Sequence, residues 1–255
     1  MLFRSSQQPE IKDELDYWWE TNQASALPVD APEQKNTYGS IDRVFVSLNK
    51  QETQTLLNHV PLVAEAGLNE IILTALVMAV ARWSGESSVL IELERSGRAN
   101  PLVNLDVSRT IGWFTTKIPA FFKIRQVTEA HEALRILQSQ LQSIPNQGIG
   151  FGLLRYGADK KARTELGELS APKVSFKYLE NLAGETWWQP AKESVGIEQA
   201  PLNERSVAIS VTGAMNYEAL EFQLNYARGQ FEQKNISLLV NSFIEELQGL
   251  IAHFA

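Results

Sequence analysis

The run Asp106-Val107-Ser108-Arg109-Thr110-Ile111-Gly112-Trp113-Phe114-Thr115-Thr116-Lys117-Ile118-Pro119 sets a charged pair, a glycine, two adjacent aromatics and a threonine pair side by side. Arg109 can fix a carboxylate or a backbone carbonyl. Gly112 permits a bend or a close approach that a side chain would block. Trp113 to Thr116 read as a buried strand entering that bend. A second chemical feature lies just upstream. Val89, Ile91 and Leu93 occupy one face of a strand and send Glu92 and Glu94 to the other. Glu94 ends that strand, and the turn Ser96-Gly97-Arg98 follows. A carboxylate at a strand end beside a glycine turn can face a cleft and move a proton there.

Other chemistries find less support. The chain has no cysteine, which excludes disulfides, thiolate catalysis and thiolate metal sites. Its three histidines, His59, His131 and His253, stand apart and read as structural or surface residues. Ile144 to Gly152 form a glycine-rich stretch that reads as a loop, without the lysine and spacing of a phosphate-binding loop. Each candidate also has an ordinary reading. Trp113 and Phe114 can be core, Arg98 and Arg109 can be ion-pair residues with Glu94 as the partner, and Lys173 and Lys177 can line a solvated strand face.

The elements that must position these residues follow from length and pattern. With 255 residues and 44% hydrophobic content, the chain can bury a sizeable core. A net charge of −7 argues against a nucleic-acid surface and an anionic membrane. No apolar run reaches ~18 residues, and no leader pattern opens the sequence. These features predict a cytoplasmic protein.

Residues 9–21 read as one short helix carrying Leu15, Trp18 and Trp19, and residues 22–40 as an extended connector holding Pro28, Pro32 and Gly39. Val44 to Leu48 form a strand. Asn49 then caps a helix, with Glu52 completing a capping box. Asn69 to Trp83 is apolar nearly all round and reads as a central helix. Thr128 caps a helix to Ser143. A short helix holds Leu153, Leu154 and Tyr156, and a charged loop runs to Pro172. Val174, Phe176 and Tyr178 mark a strand. Residues 180–205 are a polar excursion with Trp187 and Trp188. Two strands follow, Val207 to Val211 and Ala219 to Tyr226, the second with one buried and one wet face. Ile236 to Ile251 carry a helical apolar stripe.

Five stretches, in order, resemble the condensation superfamily of nonribosomal peptide synthetases, and its epimerization branch most of all. Glu70 to Trp83 is similar to that family's helix LLLAALAxAL. Glu94-Arg95-Ser96-Gly97-Arg98 resembles EGHGRE, keeping the first Glu, the second Gly and the Arg. Arg109 to Thr115 is nearly RTVGWFT. Pro145 to Gly152 resembles PxxGxGYG, and Phe176-Lys177-Tyr178-Leu179 resembles FNYLG. Residues 17–31 resemble the crossing between the family's two lobes. The departures are Ser96 for His, Lys177 for Asn and Glu180 for the last Gly. The family's HHxxxDG motif has no counterpart among these 255 residues.

The resemblance implies an α/β chloramphenicol acetyltransferase-like lobe, a mixed sheet flanked by helices, spanning residues 41–255 behind an N-terminal helix and inter-lobe connector at 1–40. It implies one wall of a tunnel that acts on carrier-bound aminoacyl or peptidyl thioesters, inactive without the HHxxxDG lobe. Glu94 matches the glutamate used as acid/base opposite the histidine. Arg98, Arg109, Trp113, Phe114, Thr115, Ser175, Lys177 and Tyr178 fall on the tunnel side. No metal and no covalently bound cofactor are expected. The phosphopantetheine arm of a carrier protein delivers the substrate. The expected partners are that carrier and the HHxxxDG lobe or the rest of a synthetase, with no nucleic acid and no membrane. The alternative is a non-catalytic lobe that docks a carrier protein or another synthetase module.

Overall fold

The computed structural model describes residues 9–20, 27–98, 109–112, 114–124, 129–157, 159–179, 196, 199–216 and 218–255. A six-stranded mixed sheet organises them. Its strands are β1 (Ile41–Ser47), β2 (Ser88–Ser96), β3 (Thr115–Lys123), β4 (Val174–Leu179), β5 (Ile209–Asn216) and β6 (Ala219–Ala227), in the order β1-β6-β5-β4-β2-β3. The pairs β2–β4 and β4–β5 are parallel and the others antiparallel.

Alternation gives this sheet two unlike faces. Phe222 and Leu224 of β6, Val211 of β5, Phe176 of β4, Leu93 of β2 and Ile118 of β3 lie on the buried face. The other face carries polar side chains from every strand: Arg43, Asn225, Thr212, Lys177, Glu94 and Lys117. The expected wet face of the last strand therefore extends across the whole sheet.

Three long helices join the buried face in one core: α5 (Leu68–Ser84), α6 (Ala130–Gln142) and α9 (Gln233–Phe254). Ile71 to Ala81 of α5 are all buried, and the one polar residue among them, Thr74, donates its hydroxyl to the Glu70 carbonyl at 2.7 Å. Its ends are chemically fixed. Glu70 Oε2 accepts the Gly67 N–H at 3.0 Å, and Gly85 closes the helix at φ 72°, where glycine carries no Cβ penalty. The stripe on α9 buries Phe243 edge-on against Phe222 of β6, with ring centroids 4.9 Å apart. Arg82 of α5 pairs with Glu246 of α9. Burial pushes the Glu246 carboxyl above its usual range, and Arg82 opposes that shift. The smaller helices are α1 (Pro9–Lys12), α2 (Leu15–Glu20), α3 (Lys50–Asn58), α4 (Val60–Val63), α7 (Ile149–Tyr156) and α8 (Lys160–Gly167). The capping box is present at α3: Asn49 and Glu52 exchange backbone N–H bonds at 2.9 Å each way.

Several elements differ from the sequence reading. Residues 9–21 do not make one helix. The chain breaks at Asp13-Glu14 between α1 and α2, and the Glu14 side chain turns inward. There it accepts the Trp18 indole N–H at 2.9 Å and the Asn146 amide N–H at 2.6 Å. Burial still lifts its carboxyl above the ordinary range. The glycine-rich stretch is not all loop. Asn146, Gln147 and Gly148 take positive φ values of 45°, 55° and 88°, and α7 then absorbs Gly150 and Gly152. A Cβ at Gly150 would run into the Glu14 carboxylate, which accounts for glycine there.

The charged segment before Pro172 contains α8, started by Asp159 accepting the Ala162 N–H at 3.1 Å. Its buried Ala162 and Leu166, four apart, are the apolar spacing that charge obscured. Glu129, not Thr128, is the N-cap of α6, and Thr128 lies outside the described residues. β5 starts at Ile209 rather than Val207 and runs on to Asn216. β3 starts at Thr115, and its burial begins only at Ile118, so Phe114, Thr115 and Thr116 are half-buried rather than core. Trp187 and Trp188 lie outside the described residues. No single described helix is long and apolar enough to cross a membrane.

Candidate functional site

The site forms where β2 and β4 end side by side. These strands are parallel, with Glu92 beside Ser175 and Leu93 beside Phe176. The next step along both strands brings Glu94 to Lys177, whose Nζ lies 2.9 Å from Glu94 Oε1. Their side chains are 22% and 32% exposed, so the pair is neither fully solvated nor sealed. Glu94 therefore pairs with Lys177, and not with Arg98 or Arg109. Lys177 is correspondingly no free, solvated strand residue. On the other side of β2, Lys117 of β3 donates to Glu92 Oε1 at 2.9 Å. That hydrogen bond is the largest cause holding the Lys117 ammonium above its ordinary range, against the pull of partial burial.

The turn after β2 is built by two residues. The Gly97 N–H donates to the Phe114 carbonyl at 2.5 Å, and a Cβ at Gly97 would sit 2.7 Å from the same oxygen. Only glycine allows this approach. Arg98 donates from Nη1 to the Thr110 carbonyl at 3.1 Å and from Nη2 to the Gly112 carbonyl at 3.0 Å. Its guanidinium also sits 4.5 Å from the centre of the Phe114 ring. Carbonyl anchoring, one of the roles open to Arg109, is performed by Arg98. Arg109 itself is exposed.

These groups surround a cavity of about 650 Å³. Of the residues singled out in the sequence, Glu94, Arg98, Phe114, Thr115, Lys177 and Tyr178 line it. Ser175 and Arg109 do not, and Trp113 lies outside the described residues. Ser175 sits one pleat further down β4 from Lys177, on the same face.

The cavity also contains residues that the sequence reading passed over: Glu70 from the first turn of α5, Arg95 from β2 and Leu141 from α6. Arg95 had a visible signal, since it stands where EGHGRE has its first glycine. Burial draws its guanidinium below the usual arginine range, and Glu70 acts in the opposite direction. Glu70 had none, because a helix-starting glutamate reads as a cap.

A second cavity, of about 630 Å³, lies at the opposite end of the sheet, lined by Lys173, Ala208 and Arg205 among others. Arg205 is committed there to Asn36 Oδ1, Ser210 Oγ and the Asn225 carbonyl at 3.2, 3.3 and 3.5 Å. Lys173, read in the sequence as a solvated strand residue, lines this cavity, while none of the residues expected on the tunnel side does. Among the described residues there is no group of three or more His, Asp or Glu able to hold a metal. His59 ends α3, while His131 and His253 stack on each other with centroids 4.6 Å apart, so no histidine reaches the Glu94 cavity.

Comparison with known proteins places this geometry. The family described as Condensation domain matches residues 3–255. Chondramide synthase of Chondromyces crocatus is 33% identical over 239 residues, which cover 92% of this chain and 6% of the synthase. A linear gramicidin synthase of Brevibacillus parabrevis is 31% identical over 251 residues, 95% of this chain and 3% of that synthase. Among solved structures, the epimerization domain from the third module of tyrocidine synthetase B superposes with a TM-score of 0.86 at 27% identity, covering 99% of this chain and 57% of that one. The X-domain from teicoplanin biosynthesis, 16% identical, shares the fold with a TM-score of 0.72. The chain thus spans only a small part of the curated relatives it matches. The five motifs, the mixed sheet and these matches agree, and the chain belongs to the condensation domain family of nonribosomal peptide synthetases.

Proposed function

We propose that this chain is the C-terminal lobe of an epimerization or condensation domain, with residues 41–255 as the lobe and residues 1–40 as the crossing to its partner lobe. The cavity at the ends of β2 and β4 is one wall of a tunnel that receives a carrier protein's phosphopantetheine arm, in the cytoplasm. One observation carries the reading. Glu94, Phe114 and Lys177 come from three separate family-like motifs and line a single cavity.

Epimerization fits the site better than condensation because a carboxylate stands in the cavity. A base takes the α-proton of the carrier-bound aminoacyl thioester. The electrons of the broken C–H bond move into the thioester carbonyl, giving a planar enolate. An acid on the opposite face then returns a proton to the α-carbon. Glu94 is one of these two groups, and a histidine of the partner's HHxxxDG motif is the other. Lys177 holds the Glu94 carboxylate in place, and Phe114 with the Arg98-clamped segment shapes the wall.

A second reading has its own observation. Lys177 occupies the position of the motif's Asn and engages Glu94 directly, which suits a lobe that docks a carrier protein without catalysis. Reconstitution separates the two. The 255-residue chain alone is expected to leave a carrier-loaded thioester unchanged. Addition of a separately produced HHxxxDG lobe is expected to start α-proton exchange with solvent deuterium. Turnover by the chain alone contradicts the two-lobe account. Carrier binding with no turnover in the presence of the second lobe favours docking.

A further inference from the structure

Among the described residues, Arg95, Arg98 and Lys177 are the cations that line the Glu94 cavity, and they stand differently toward Glu94. Arg95 follows Glu94 directly on β2 and so projects from the opposite face of the sheet, where Glu70 attracts it. Arg98 holds the Thr110 and Gly112 carbonyls. Lys177 shares the face of Glu94, with its Nζ 2.9 Å from Oε1. It also stands where the FNYLG motif has Asn, so a full positive charge replaces a neutral amide beside the carboxylate. Phe114 and Leu179 add apolar surface to the same cavity, and apolar walls strengthen charge pairing made beside them.

The chemistry at Glu94 moves a negative charge over a short path. When the Glu94 carboxylate takes an α-proton, the electron pair of the C–H bond becomes the new carbon–carbon double bond. The carbonyl π pair goes to the thioester oxygen. Glu94 is left as a neutral acid, and the charge now sits on an enolate oxygen. That oxygen lies only ~2.4 Å from the α-carbon that the carboxylate has just served, by ordinary bond lengths. An ammonium in contact with the carboxylate is therefore close to both ends of the path. It faces the carboxylate before the transfer and the enolate oxygen after it, and itself exchanges no proton. The return of a proton from Glu94 to carbon retraces the same steps.

We propose that Lys177 is a catalytic residue that stabilises the enolate oxygen of the thioester, beyond holding Glu94 in place. The inference rests on the epimerization reading above. A fixed positive charge aimed where negative charge develops lowers the barrier without reorganising during the reaction.

The test measures α-proton exchange with solvent deuterium in the reconstituted two-lobe enzyme, on a carrier-loaded aminoacyl thioester. Lys177→Met is expected to slow exchange about tenfold to a hundredfold at saturating thioester, as loss of one charge-assisted contact would, with KM close to the parent's. Lys177→Arg is expected to retain most of the rate. The decisive comparison is made in the Glu94→Gln background. There the opposite histidine still removes and returns a proton on its own face, through the same enolate, giving exchange without inversion. Lys177→Met is expected to lower that remaining exchange by a similar factor, and Lys177→Asn, which restores the motif's residue, gives the same comparison if the methionine variant does not fold. No further loss in the Glu94→Gln background shows that Lys177 acts only through Glu94; it overturns the proposal and leaves the epimerization reading standing. Absence of exchange in the unmutated two-lobe enzyme overturns both.

Discussion

Replacing Glu94 with glutamine is expected to slow α-proton exchange in the reconstituted two-lobe enzyme by ~10²–10⁴-fold, the usual contribution of a positioned acid or base. Glutamine keeps the size and planarity of the side chain and loses its charge and its capacity to move a proton. It can still accept a hydrogen bond from Lys177, whose Nζ lies 2.9 Å from the native carboxylate, so the strand ends stay in place. The expected signature is a fall in both exchange and inversion, with the melting temperature and thioester affinity close to those of the parent. A purely structural Glu94 predicts the reverse: unchanged exchange in the folded protein, or a loss that follows unfolding. The comparison with Lys177→Met sharpens the test. That change leaves the carboxylate without its partner and is expected to cost less activity than Glu94→Gln.

Removal of residues 234–255 is expected to abolish cooperative folding. This segment is nearly the whole of α9, which buries Ile236, Leu239, Val240, Phe243, Leu247, Leu250 and Ile251. At ~1.5–3 kcal/mol for each fully buried large apolar side chain, a few of them equal the ~5–15 kcal/mol by which a domain is stable. The deletion would also bare the buried face of β6 around Phe222 and strip α5 of its partner. A single change gives a graded version. Phe243→Ala is expected to cost ~3–5 kcal/mol and to lower the melting temperature without removing the transition. A truncated chain that melts at the parent temperature would show that α9 does not hold the core.

What could be read from the sequence depended on whether local pattern or long-range packing set the structure. α5 was legible because ten apolar residues among the eleven from Ile71 to Ala81 admit only a core helix. β2, β4 and β6 were legible because a two-sided sheet imposes strict alternation on each strand. The break at Glu14 was hidden, since its cause is Asn146, more than a hundred residues away. α8 was hidden by its charges. In the site, Glu94 was marked by its place at a strand end before glycine. Its partner was not, because the Glu94–Lys177 pair depends on β4 lying beside β2, an order that no local pattern reveals. The exchange of roles between Arg98 and Arg109 has the same origin. Both precede a turn, and only the pairing of β2 with β3 sets Arg98 beneath the Thr110 and Gly112 carbonyls.

The central claim is that the cavity at the ends of β2 and β4 receives the carrier-bound thioester. A crystal structure of the chain, joined to an HHxxxDG lobe and holding a non-hydrolysable aminoacyl pantetheine, tests it most directly. The account predicts the aminoacyl α-carbon within hydrogen-bonding reach of Glu94, beside Lys177 and Phe114. A pantetheine seated at the opposite end of the sheet, against Lys173 and Arg205, would contradict it.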